Sequence, residues 1–166
     1  MARLSQKIVV MGLGYIGLPT ASMLATKGHQ VLGVDVNQVA VDTINSGRIH
    51  IIEPDPDILV RSAVNSGNLK ASTIPEEGDT FIIAVPTPFM ELEGNPKAPD
   101  LSYVEAATRA IVPFLREGNL VILESTSPVG TTEFIYKTII ETRPELAGKI
   151  HCAHCPERVL PGHILR

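Results

Sequence analysis

Ile8-Val9-Val10-Met11-Gly12-Leu13-Gly14-Tyr15-Ile16-Gly17 is the stretch on which the fold turns. Its first four residues form a compact apolar run that stops at glycine, as a parallel strand buried on both faces should. The G-x-G-x-x-G that follows leads into a helical pattern from Tyr15 to Thr26, closed by Lys27-Gly28-His29. A glycine triplet alone is a weak signal, because such triplets recur by chance. A strand before it and a helix after it are the context that gives it meaning. Gly12 then makes the tight turn, Gly14 lets the backbone approach a pyrophosphate with no Cβ in the way, and Gly17 lets the helix pack close to the sheet. The helix start, with Tyr15 and Ile16, offers unpaired N–H groups and a partial positive charge to that anion.

Val31-Leu32-Gly33-Val34 reads as the second strand and ends on Asp35, eighteen residues beyond Gly17. That is near the offset of about twenty at which an acidic residue meets the adenosine ribose hydroxyls of a bound dinucleotide. A carboxylate there also repels a 2′-phosphate, and no Arg or Lys follows until Arg48, so NAD is expected rather than NADP. The competing explanation is an Asp that only caps a helix beside a glycine turn that binds nothing.

The same alternation continues along the chain. Asn37 caps a helix to about Ser46, and a further helix is expected over 55–64. Thr80 to Val85 is the most hydrophobic strand, followed by a loop from Pro86 to Pro99. A helix from Asp100 or Ser102 to Leu115, a strand Leu120–Leu123, a helix Gly130–Thr142 and a strand Ile150–Ala153 complete the pattern. Strand and helix in turn imply an α/β fold: a Rossmann-type, doubly wound parallel sheet in a single domain, with ligands at the carboxyl ends of the strands.

Composition agrees with a globular chain of this kind. The chain has 166 residues, 44% hydrophobic and 19% charged. That length suits one domain with a proper core but not two comfortable ones. Fourteen basic against eighteen acidic residues leave a net charge of −4, which argues against a nucleic-acid surface. Ile8 to Thr26 carries no charge and approaches the length of a membrane span, but Gly12, Gly14, Gly17 and Pro19 within it make a poor apolar helix. Neither a membrane segment nor a signal peptide is expected. Two cysteines are too few and too close for a disulfide framework, which suggests a reducing, cytoplasmic setting.

Three further strand ends carry candidate residues. Val85-Pro86-Thr87-Pro88 makes a stiff turn with few donors, suited to lining a cofactor slot or serving only as a rigid loop. Glu124-Ser125-Thr126-Ser127-Pro128-Val129-Gly130-Thr131 joins hydroxyls to a proline near a helix start, and Ser127 or Thr131 is expected to cap that helix. Cys152 and Cys155 form C-x-x-C among histidines, but Cys152 lies in a strand and Pro156 interrupts any helix that follows. Ordinary, partly buried cysteines are expected, with no metal site.

Taken together, the stretch 12–19, Asp35-Val36-Asn37, Val85–Pro88, Ser125–Thr131 and Pro156-Glu157-Arg158-Val159-Leu160-Pro161-Gly162 resembles the amino-terminal domain of the UDP-glucose/GDP-mannose dehydrogenase family. The resemblance covers nearly the whole chain, with five motifs in order. It implies oxidation of a sugar C6 alcohol to a carboxylate with two NAD+ reduced in succession. It also implies that Thr126 and Glu157 hold or activate water, and that Glu157, Arg158, Val159 and Leu160 meet the UDP-sugar. For Arg158 a surface salt bridge is the plainer alternative. The last motif resembles the branch acting on UDP-N-acetylhexosamines. UDP-N-acetyl-D-mannosamine is the expected substrate, with UDP-N-acetylglucosamine or UDP-glucose as alternatives. Pro161 stands where UDP-glucose members carry a second glutamate.

The family continues past this length into a long dimerising helix and a nucleotide-sugar domain, which hold its nucleophilic cysteine. The resemblance therefore implies a homodimeric parent enzyme, and a chain of this extent that binds NAD without turning over. The alternative of another class is a stand-alone NAD-binding or sensing module, which has no need of Thr126 or Glu157.

Overall fold

The computed structural model describes residues 5–51, 56–92 and 95–156. Its elements are β1 (Lys7–Met11), α1 (Gly17–Thr26), β2 (Gln30–Val34), α2 (Gln38–Asn45), α3 (Pro56–Asn65), β3 (Leu69–Ser72) and β4 (Thr80–Ile83). These are followed by β5 (Phe89–Leu92), β6 (Asn95–Pro99), α4 (Ser102–Ile111), β7 (Leu120–Leu123), α5 (Thr131–Thr142) and β8 (His151–His154). Six strands form one sheet in the order β3-β2-β1-β4-β7-β8, and every pairing in it is parallel. Set aside the small antiparallel β5–β6 hairpin, and this is the doubly wound Rossmann order.

Strand alternation builds two cores, one on each face. Along β1, Val9 and Met11 join Phe81, Ile83, Val104, Ile111, Ile135 and Ile139 under α4 and α5. Ile8 and Val10 join Leu18, Ala21, Val31, Ile44, Val60 and Leu69 under α1, α2 and α3. This is why the central strands read as unbroken apolar runs: neither face meets water. Each large side chain buried this completely contributes about 1.5–3 kcal/mol.

Several boundaries differ from the sequence reading. The first helix begins at Gly17, because Tyr15 and Ile16 form the turn that precedes it. Pro19 is tolerated there since the first turn needs no N–H from it. Asn37 caps α2 as expected, its side chain accepting from Val39 N–H and Ala40 N–H. The strand expected over 80–85 ends at Ile83, and the loop expected over 86–99 contains the β5–β6 hairpin. The helix expected to reach Leu115 ends at Ile111 and tightens into a 3-10 turn, Val112–Phe114, around Pro113. The cap of α5 is neither Ser127 nor Thr131 but Gly130, whose φ of 93° suits a residue without Cβ. Thr131 Oγ1 instead donates back to Pro128 O at 2.8 Å.

Strand β3 has no counterpart in the sequence reading. Among the described residues, no helix is long and apolar enough to cross a membrane.

Candidate functional site

The sheet winds outward from β1 to β3 and then returns to β4, so β1 and β4 are neighbours whose onward connections part in opposite directions. A crevice opens at the carboxyl ends of such a pair. Gly12 stands at the end of β1, its N–H donating to Val34 O at 2.7 Å, and its φ is 91°. A Cβ there would lie 2.7 Å from Ala84 O. At Gly17 a Cβ would lie 1.9 Å from Gly12 O, so the helix could not come this close to the turn. Gly14 is different. Its φ is not positive and a Cβ on it would meet nothing within 4 Å. Among the described glycines it alone is required neither by backbone conformation nor by a neighbouring atom. The Cβ would stand in open space at the start of α1, where backbone N–H groups face outward.

That helix start is electrostatically prepared for an anion. No side chain caps it and no acidic residue lies in its first turn. Its partial positive charge is therefore not offset by a capping side chain or by an acid of its own first turn.

Asp35, half-buried beyond the end of β2, ties the turn to the neighbouring strand. Its Oδ2 accepts Leu13 N–H at 2.9 Å and its Oδ1 accepts Asn37 N–H at 2.9 Å. Each oxygen keeps further lone-pair capacity for hydroxyl donors. Leu13 is fully buried and packs onto Gly33, where a Cβ would come within 2.6 Å of Leu13 Cδ2. The loop is thus held from one side by the Leu13 side chain and from the other by the Asp35 carboxylate.

Across the crevice, the ends of β4 and β7 are laced together. Ser125 Oγ donates to Val85 O at 2.7 Å, and Thr87 Oγ1 donates to Thr126 O at 2.6 Å. Val85, Thr87 and Thr126 are thereby brought to one rim, with Pro86 exposed between the first two. At the end of β7, Glu124 Oε1 accepts from Thr20 Oγ1 of α1 at 2.8 Å.

Two concave regions lie away from this crevice. A groove of about 430 Å³ between α5 and β8 is lined by Glu133, Tyr136, Lys137, Ile150 and Cys152 among others. Glu133 in the first turn of α5 makes that helix start unwelcoming to an anion. The other region, near Asp79, Arg116 and Glu117, sits at the opposite, amino-terminal rim of the sheet. The crevice is the better site on chemistry, because the glycine turn, the uncapped helix start and the acid at the next strand's tip converge only there.

A sequence profile described as the UDP-glucose/GDP-mannose dehydrogenase family, NAD binding domain, matches residues 6–166. The chain belongs to that family. Its relatives include an NDP-N-acetyl-D-galactosaminuronic acid dehydrogenase from Ralstonia nicotianae, 59% identical over 96% of this chain and 38% of the relative. Another is a UDP-N-acetyl-D-mannosamine dehydrogenase from Campylobacter jejuni, 56% identical over 96% of this chain and 40% of the relative. The solved structure of the Staphylococcus aureus UDP-N-acetyl-mannosamine dehydrogenase superposes with a TM-score of 0.87 at 46% identity, over 96% of this chain and 38% of that one. The chain therefore spans about two-fifths of the length of these relatives, and what it spans is the NAD-binding domain.

Within this family frame, Gly12, Gly14, Tyr15, Ile16, Gly17 and Asp35 gather on one side of the crevice, and Val85, Pro86, Thr87 and Thr126 on the other. Glu157, Arg158, Val159 and Leu160 lie outside the described residues. Leu13, Glu124 and Ser125 stand in stretches singled out by sequence, but neither they nor Thr20 had been given a role in the site. The buried middle position of G-x-G hints at Leu13, but nothing in sequence spacing links Thr20 with Glu124. Cys152 is half-buried and Cys155 exposed, and both are free thiols. Burial pushes the Cys152 thiol up to about 11, which keeps it protonated and a poor nucleophile near neutral pH.

Proposed function

We propose that this chain holds NAD across the crevice, as the cofactor domain of a dehydrogenase that oxidises the C6 alcohol of a UDP-N-acetylhexosamine, with UDP-N-acetyl-D-mannosamine as its substrate. The observation that carries the cofactor part is Gly14: a Cβ there would meet no atom of the described residues within 4 Å, and its absence clears the space a pyrophosphate would take at the start of α1. Asp35 accepts hydroxyls of the adenosine ribose and disfavours a 2′-phosphate. Val85, Pro86, Thr87 and Thr126 line the nicotinamide half. Bound NAD supplies a two-electron hydride acceptor. Two such acceptors and one water balance the change from alcohol to carboxylate.

Within this reading, Thr126 orients water beside the reacting carbon, and its main chain is fixed for that purpose by the Thr87 hydroxyl. Glu157 shares that task, and Arg158, Val159 and Leu160 meet the sugar nucleotide. The substrate assignment is supported by relatives named for UDP-N-acetyl-D-mannosamine at 52–56% identity and by Pro161. A cytoplasmic location and a homodimeric assembly accompany the reading, since NAD and nucleotide sugars are cytoplasmic and the family pairs through a helix that follows this domain.

Calorimetry and a coupled NADH assay test both parts. The 166-residue chain should bind NAD+ at one site and form no steady-state NADH from UDP-N-acetyl-D-mannosamine. The complete product of the gene should form two NADH per sugar oxidised. Preference of that product for UDP-glucose would overturn the substrate, and turnover by the 166-residue chain alone would overturn the division of labour.

A further inference from the structure

We propose that the hydrogen bond from Thr20 to Glu124 sets the spacing between the two halves of the crevice, which makes Thr20 a positioning residue for the nicotinamide half of the cofactor. The inference rests on the NAD reading above and adds a residue to it. Thr20 lies on α1, within one turn of Gly17, so it moves with the helix start that faces the pyrophosphate. Glu124 directly follows β7 and its N–H donates to Ile83 O at 2.9 Å, which roots it in the rim shared by β4 and β7. The 2.8 Å bond between them therefore joins the phosphate helix to the strand end that carries Thr126.

The behaviour of other helical hydroxyls sets this contact apart. Ser22, Thr108 and Thr138 each donate to the carbonyl four residues back, the usual local partner for such side chains. Thr20 instead reaches a carboxylate 104 residues away in sequence. A dinucleotide that straddles the junction of β1 and β4 needs both banks at a fixed distance. ADP, by contrast, reaches only Asp35 and the glycine turn. Loosening the Thr20–Glu124 link should thus be felt by NAD+ and not by ADP.

The test titrates NAD+ and ADP separately into the 166-residue chain and its Thr20→Val and Thr20→Ser variants, with thermal unfolding followed alongside. Val matches the shape of Thr without the hydroxyl, whereas Ser keeps the hydroxyl. Thr20→Val should lower NAD+ affinity about tenfold while ADP affinity stays within about twofold, and Thr20→Ser should bind both as the parent does. Equal losses for NAD+ and ADP would reduce Thr20 to a structural residue, and undiminished NAD+ affinity in Thr20→Val would overturn the proposal. A parent chain that bound neither ligand would instead refute the cofactor reading itself, and the inference with it.

Discussion

Gly14 and Gly17 stand three residues apart and answer to different constraints. Alanine at position 17 would put its Cβ 1.9 Å from a backbone oxygen that cannot swing aside. Gly17→Ala should therefore destabilise the fold by about 1–3 kcal/mol or more, measured by urea unfolding. Alanine at position 14 meets nothing. Gly14→Ala should leave stability within about 0.5 kcal/mol of the parent yet weaken NAD+ binding about tenfold or more, by crowding the pyrophosphate. Loss of stability without loss of binding would reverse the roles assigned to this glycine. Asp35→Ala should shrink the preference for NAD+ over NADP+ by about tenfold, since a lost ribose partner and a lost repulsion act in the same direction. Unchanged discrimination would make Asp35 only a tether for Leu13 N–H. The spacing of glycines and acid was legible in the sequence. The tether was not, because a backbone donor leaves no mark on residue identity.

At the scale of elements, the clearest difference lies in β3. Leu69-Lys70-Ala71-Ser72 occupies the edge of the sheet, where Leu69 and Ala71 are buried while Lys70 faces water. Four residues with so mixed a face lack the continuous apolar run that marked the central strands. The hairpin of β5 and β6 escaped notice for a related reason: Pro96 and Pro99 argue against a strand in a central position, but a two-stranded ribbon leaves outer edges where proline is tolerated. Strand β8, by contrast, was legible, and so was the alternation that turns Cys152 inward while His151 and Ala153 are exposed. That alternation has a chemical consequence. With its thiol raised to about 11, Cys152 stays protonated when an unfolded chain would already ionise, so any stability it confers is present below about pH 9 and is lost as pH climbs toward 11. Its alkylation by iodoacetamide should lag behind that of exposed Cys155 at pH 8 and accelerate toward pH 11. Equal rates at pH 8, resolved by peptide mass mapping, would contradict the partial burial of Cys152 in β8.

For the whole molecule, the order β3-β2-β1-β4-β7-β8 gathers residues from positions 12 to 126 at one rim. The doubly wound class was legible from the repeated strand–helix alternation, because short parallel crossovers leave few other arrangements. How the crevice is fastened was not, since the Thr20–Glu124 bond between its banks and the Thr87–Thr126 bond within one of them join segments far apart in sequence. The proposed cofactor pose seats a diphosphate against α1 with the adenosine ribose at Asp35. Backbone amide NMR of the 166-residue chain during titration with NAD+ tests this most directly. The largest shifts should fall on Leu13 to Gly17 and Asp35 to Asn37, with smaller ones at Val85, Thr87 and Thr126. Shifts confined to the α5–β8 groove around Tyr136 and Cys152, or to the opposite rim around Asp79 and Arg116, would contradict it.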